Sequence, residues 1–294
     1  MRKTRFASRA AGRTMRALMH PSRSSSFVRR ALPWGLAGAL TLAAGAFALI
    51  GQAAPAPITL TELRVGIDAR ALPVSTGERD YTSGAFEAVY ARELAQRLGA
   101  TLTLVPLRND EPWRALREGE VDVVLGRAEI GGDAEGLPVL PTGYRSGLGV
   151  SMRTDRPARG WDALRHRTLC TSADNTRAQA LAARLGARLQ VHAAPAQALV
   201  RVRTGDCDAA VLDHAQLAPL LAQKEWAKFA ATLPPTEASA LQAWLAPSRA
   251  ALAAPLRAAM AELDDPLRWT QRRQTWAANV AFEAYYDQTG PDCH

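Results

Sequence analysis

Two rounds of a β-α-β-α-β pattern, each carrying the same glycine-to-aspartate joint, predict an α/β chain of two parallel-sheet units behind a basic, apolar leader. The composition admits such a fold: hydrophobic residues make up 48% and charged residues 22% of 294 positions, enough to bury a core. That length suits one large or two modest domains.

A formal net charge of +8 would ordinarily point to a polyanion, but residues 1–53 hold nine Lys or Arg and no Asp or Glu. Removing those nine from 36 cations leaves 27 against 28 anions, so the body of the chain has no electrostatic case for binding nucleic acid. The nine cations run from Arg2 to Arg30 and precede an uncharged run, Ala31 to Gly51. Gly51 and Ala53 are small residues at the two positions a signal peptidase reads, so residues 1–53 are expected to be a signal peptide. The alternative is a membrane anchor at residues 31–51, because about 20 apolar residues can cross a bilayer. Either way the basic flank stays inside and the remainder is expected in the periplasm. No cysteine precedes Cys170, which removes a lipid-modified cysteine at the boundary.

In the first unit, Leu63 to Ile67 reads as a buried strand. Phe86, Val89, Tyr90, Leu94 and Leu98 then recur at helical spacing up to a stop at Gly99. Leu102 to Leu107 is the second strand, a short helix passes through Trp113 and Leu116 to Gly119, and Val121 to Leu125 is the third strand. The second unit repeats this with strand Thr168 to Ser172, helix Thr176 to Leu185, strand Leu189 to His192, helix Ala196 to Arg203 and strand Asp208 to Leu212. Gly119 and Asp122 recur 86 residues later as Gly205 and Asp208, and both aspartates are expected to be structural. Gln242 to Leu245 has the length to cross back to the first unit, where helices Pro247 to Ala261 and Pro266 to Ala278 would pack. The expected lobes are therefore residues 58–150 with 243–294, and residues 154–240, with hinge strands near 151–153 and 242–245. In open α/β sheets ligands collect at the carboxyl ends of the strands, so the cleft between lobes is the expected site.

Export permits disulfides, and three cysteines leave one spare. A Cys170 to Cys207 bridge, with both residues in neighbouring strands, is expected; a buried pair of free thiols is the alternative. The five histidines show no metal-ligand spacing, and neither a metal nor another cofactor is expected.

Four segments resemble the extracellular solute-binding proteins of family 3, the receptors of polar amino-acid importers: LRVGID, GAFEAVYARELAQRLGA, EPWRALREGEVDVVLG and ALVRVRTGDCDAAVLDHAQL. The resemblance covers the chain from Leu63 to about Trp276 and implies the two-lobed type II periplasmic-binding-protein-like fold, each lobe a βαβαβ-based sheet with flanking helices. It also implies a monomer that delivers a small polar solute, an amino acid among the candidates, to the membrane subunits of an ABC importer. No enzymatic activity is implied.

The ligand chemistry departs from that family. Its aromatic shelf is missing, because Pro73 is followed by Val74, and Asp133 stands where its carboxylate-clamping arginine is expected. Arg127 is the replacement candidate, or else a surface or salt-bridged arginine. Tyr144 is a candidate wall, with Arg145 more distant. In TSADNT the resemblance implies that Asn175 and Thr176 bind ligand oxygens at a helix N-terminus, the alternative for Thr176 being an N-cap. Asp213 matches the acidic strand end that receives a ligand ammonium. Asp68 is either a ligand contact or the cap of its own turn. The leading expectation is a zwitterion held by Arg127 at one end and Asp213 at the other; if Arg127 turns outward, the cleft suits a cationic or neutral polar solute instead. An accessory protein of a periplasmic oxidoreductase system that has lost solute binding is the alternative. A dehydratase using Glu129 or Asp133 ranks behind both.

Overall fold

The computed structural model describes residues 60–75, 79–108, 111–129 and 134–288. The leader, Asp133 and Cys293 lie outside them, so both readings of residues 1–53 do too. Among the described residues no helix is long and apolar enough to cross a membrane. The described residues all fall within one compact unit.

The first round contains β1 (Glu62–Asp68), a small hairpin of β2 (Val74–Ser75) and β3 (Asp80–Tyr81), α1 (Glu87–Leu98), β4 (Thr101–Leu107), α2 (Glu111–Arg117) and β5 (Val123–Arg127). A long strand follows, β6 (Val139–Met152). The second round contains β7 (Thr168–Ser172), α3 (Thr176–Leu185), β8 (Arg188–His192), α4 (Pro195–Arg203), β9 (Ala209–Asp213) and α5 (His214–Leu221). The chain ends with β10 (Thr236–Leu245), α6 (Ala253–Leu263) and α7 (Pro266–Asp287).

Both rounds build parallel ladders: β1 pairs with β4 and β5, and β7 pairs with β8 and β9. The ladders do not end at the junction. β6 and β10 pair antiparallel with each other, β10 pairs with β5, and β6 with β9. The result is one eight-stranded sheet in the order β4-β1-β5-β10-β6-β9-β7-β8. The expected hinge segments are thus largely sheet strands, because each has a partner for its backbone N–H and C=O groups.

Helices cover the sheet as the spacing of apolar residues dictates. In α1, Ala88, Tyr90, Ala91, Leu94 and Ala95 are buried, whereas Val89, counted in the apolar face, is 39% exposed. α6 packs on α1, but α7 also lies along α4 and α5 of the second round, a wider reach than the expected packing on the first unit alone. Trp276 of α7 donates from Nε1 to the Ser83 carbonyl at 2.9 Å, and Glu283 accepts from the Thr82 backbone N–H at 2.8 Å. The expected single helix over 247–261 begins as a 3-10 turn, Pro247–Leu252, because Arg249 leaves helical geometry.

Cys170 and Cys207 form a disulfide with Cα atoms 6.0 Å apart. Cys170 is in β7, but Cys207 sits in the turn two residues before β9 and not in a strand, since β9 begins only at Ala209.

Candidate functional site

The carboxyl ends of β1, β5, β7 and β9 point to one region, because strands are parallel within each round while the antiparallel β10 and β6 between them set the two rounds running toward each other. There the backbone leaves a cavity of about 340 Å³, with walls from both rounds. Asp68, Glu87 and Arg127 come from the first, and Asp174, Asn175, Thr176, Arg177 and Asp213 from the second.

Five of the six expected ligand residues line this cavity; Tyr144 does not. Its ring is 3% exposed and packs against Phe86 (5.1 Å between ring centres) and Trp269 (4.7 Å), an aromatic core cluster in place of a cavity wall. Its hydroxyl nevertheless reaches the site from behind, donating to Asp213 Oδ1 at 2.7 Å. Burial pushes the Tyr144 hydroxyl well above its ordinary range, and the Asp213 carboxylate adds to the effect.

Arg127 and Asp213 do not stand at opposite ends of a ligand space. Arg127 Nη2 donates to Asp213 Oδ2 at 2.6 Å, and the guanidinium carbon lies 4.9 Å from the Tyr144 ring centre. Asp213 also caps α5 by accepting from the Ala215 N–H at 3.1 Å. With two donors and a guanidinium already on it, a carboxylate 5% exposed has little left to offer an ammonium. The expected zwitterion clamp therefore closes on itself.

Asp68 takes the capping role weighed for it. It accepts from the Arg70 backbone N–H at 2.8 Å and pairs with the Arg70 guanidinium at 2.6 Å. At the α3 N-terminus the cap is Asn175, accepting from the Ala178 N–H at 3.1 Å, while Thr176 is the exposed first helical residue. The cap thus falls one residue earlier than the one considered from sequence.

Glu87, Asp174 and Arg177 are among the charged cavity residues that the sequence does not single out. Glu87 opens α1 and is 7% exposed; there it resembles any acidic residue complementing a helix dipole. Burial raises its carboxyl above the ordinary value of 4.5, Arg127 pulls it back, and Asp174 and Asp213 push it up again. Asp174 lies in the β7–α3 loop, where Oδ2 accepts from Ser83 Oγ at 3.2 Å and Oδ1 is buried with no hydrogen-bond partner. Burial raises this carboxyl too, against the pull of the bonded Ser83 hydroxyl and of the Ser172 hydroxyl, which lies close by without a hydrogen bond in good geometry. Arg177 follows the helix cap, and its guanidinium approaches the Ser146 carbonyl at 3.5 Å. The one legible signal was local: three consecutive polar residues, Asp174 to Thr176, entering a helix.

Glycine permits the two rounds to meet here. A Cβ on Gly84 would stand 2.7 Å from Asp174 Oδ2 and 3.1 Å from Ser172 Oγ, so any larger residue would displace the Asp174 carboxylate from its place in the cavity. The turn after β5 adds Glu129, whose carboxylate accepts from the Ser239 hydroxyl of β10.

No family model matches the chain, and no curated protein does. Solved structures do. An ancestral cationic amino acid solute-binding protein shares 20% identity over 73% of this chain and 95% of its own, with a TM-score of 0.54. A second structure, of the ancestral amino-acid-binding protein described as a precursor of cyclohexadienyl dehydratase, matches with the same identity and coverage and a TM-score of 0.50. A histidine kinase sensor domain similar to periplasmic binding proteins matches at 22% identity over 74% of this chain and 96% of its own, with a TM-score of 0.49. At such identities the likeness speaks for the fold alone: the chain has the two-lobed periplasmic-binding-protein-like α/β fold found in amino-acid solute-binding proteins.

Proposed function

We propose that the protein is an exported receptor that encloses a small polar solute between residues 58–150 with 243–294 on one side and 154–240 on the other, and delivers it to the membrane subunits of an ABC importer. The observation that carries this reading is the 340 Å³ cavity at the strand ends, with charged side chains of both signs contributed by both rounds. Its size and position suit a small solute, with amino acids among the candidates. Export rests on the basic and apolar pattern of residues 1–53. Binding of this kind requires no bond to be made or broken, only closure of the walls.

Thermal denaturation of the purified protein against amino acids, organic acids, amines and sugars tests it. A true ligand at 100 times its dissociation constant stabilises the native state by about 2.7 kcal/mol. A flat response to every class would reject the receptor.

Two observations favour the accessory-protein reading in that event. The Arg127–Asp213 pair is complete without a solute, and α7 lies along helices of the second round as well as packing near the first. A protein in which solute uptake had been abandoned would tolerate both.

A further inference from the structure

The cavity contains two charge pairs that the protein satisfies by itself, Asp68 with Arg70 and Asp213 with Arg127. Two other carboxyl groups are not satisfied. Glu87 is 7% exposed, and among the described residues no cation is in ion-pair contact with it. Asp174 has one oxygen on Ser83 and the other buried without a partner. One group stands on α1 and the other on the β7–α3 loop, so they face the same cavity from opposite rounds.

Resting on the receptor reading, we propose that Glu87 and Asp174 together receive an organic cation, a primary ammonium or guanidinium, and that the solute carries no carboxylate. A buried carboxyl without a counter-charge is costly, and a ligand cation removes that cost from both groups at once. An ammonium brings three donors and a guanidinium five, enough to bridge two carboxylates. A ligand carboxylate has poorer prospects. Arg127 is engaged by Asp213, and Asp174 places a like charge beside the α3 N-terminus, where an anion would otherwise dock. Arg177 and Arg108 are the cavity cations, besides the paired Arg70 and Arg127, that could oppose the assignment, so carboxylate-bearing probes belong in the test.

Burial holds both carboxyls above their ordinary range, and the groups facing them are known. Glu87 feels Arg127, Asp174 and Asp213; Asp174 feels the Ser172 and Ser83 hydroxyls, the like charge of Asp68 and the opposite charge of Arg70, which Asp68 already engages. A bound cation favours their ionised forms, so cation affinity rises with pH through their titration.

The experiment measures binding of agmatine, putrescine, L-arginine and L-glutamine to the purified protein by calorimetry, at about pH 5 and about pH 8. Expected are binding of agmatine or putrescine, tighter at the higher pH, and no binding of the two amino acids. Glu87→Gln and Asp174→Asn should each weaken the amine by about 30-fold or more. Amino-acid binding indifferent to both substitutions, or amine binding that is flat or weaker as pH rises, overturns the assignment and leaves the receptor standing. The pH comparison uses the unmodified protein and holds even where a substitution prevents folding. A protein that binds none of these probes, nor any solute of the wider panel, overturns receptor and cation site together.

Discussion

The two rounds of the fold solve the same joint with different chemistry. In each, an aspartate before the last strand donates its backbone N–H to the first strand at 2.9 Å, Asp122 to Arg64 and Asp208 to Thr168. In each, its carboxylate accepts from that same first-strand residue, at 2.9 Å from Arg64 N and 2.8 Å from Thr168 N. The surroundings then diverge. Asp122 is 0% exposed and binds two guanidinium groups, Arg64 and Arg249, each at 2.8 Å, so it ties β1 to the chain after β10. Asp208 is exposed, and the covalent Cys170–Cys207 bridge beside it ties β7 to the entry of β9. One backbone task is thus reinforced electrostatically in the first round and covalently in the second.

The largest expected effect falls on the covalent tie. Replacing Cys170 and Cys207 together with serine frees a loop spanning 37 residues, which on the chain-entropy account costs about 4 kcal/mol. Urea denaturation of oxidised wild type and the double variant reads the difference; superimposed curves would show that the bridge does not restrain the unfolded chain.

Asp122→Ala should come next, at about 3 kcal/mol, because it leaves two guanidinium groups without their carboxylate; Arg64 and Arg249 are partly solvated, which keeps the cost at the low end for a broken buried pair. Burial opposes ionisation of Asp122, but the bonds from Arg64 and the charge of Arg249 outweigh it and hold the carboxyl below its usual range. Its stabilisation is therefore present above the ordinary carboxylate range and is lost as acid protonates the native group. Asp208→Ala should cost about 1 kcal/mol, one hydrogen bond to an N–H at an exposed position. Equal losses from the two aspartates would contradict the contrast between the rounds.

The smallest change concerns slope. Glu87 has a raised native value, so the unfolded carboxyl ionises first as pH rises above 4.5. Stability from this group is fully present below that value and falls until the native carboxyl also titrates. Glu87→Gln should flatten the decline, making the variant relatively more stable at higher pH. Parallel pH profiles of denaturation midpoint would remove Glu87 from the account.

Apolar periodicity made the repeated unit legible. Thr168–Ser172 and Thr176–Leu185 have the bounds read from sequence, and β5 and β9 begin two residues and one residue later than read. β6 was illegible because its Pro141, Gly143, Gly147 and Gly149 read as a loop; Gly143, Gly147 and Gly149 are instead places where neighbouring backbone or side chains approach within about 3 Å of a would-be Cβ. The site was legible only in part. Resemblance pointed to Asp213 as a ligand group and left Arg127 either a stand-in for the missing arginine or a salt-bridged one, but sequence carries no sign that these two residues, 86 apart, would bond to each other. Glu87 and Asp174 were hidden for the opposite reason: an acid at a helix start or in a loop is ordinarily solvated, and it is the close approach of the Ser83–Gly84 segment that covers Asp174.

The central claim, that a solute is held between the two rounds, is tested most directly by hydrogen exchange with the solute that raises the denaturation temperature. Bound solute should slow exchange together in the segment around Ser83 to Tyr90, on the first round, and around Ser172 to Ala178, on the second. Slowing confined to one of these segments, or to neither, would contradict it.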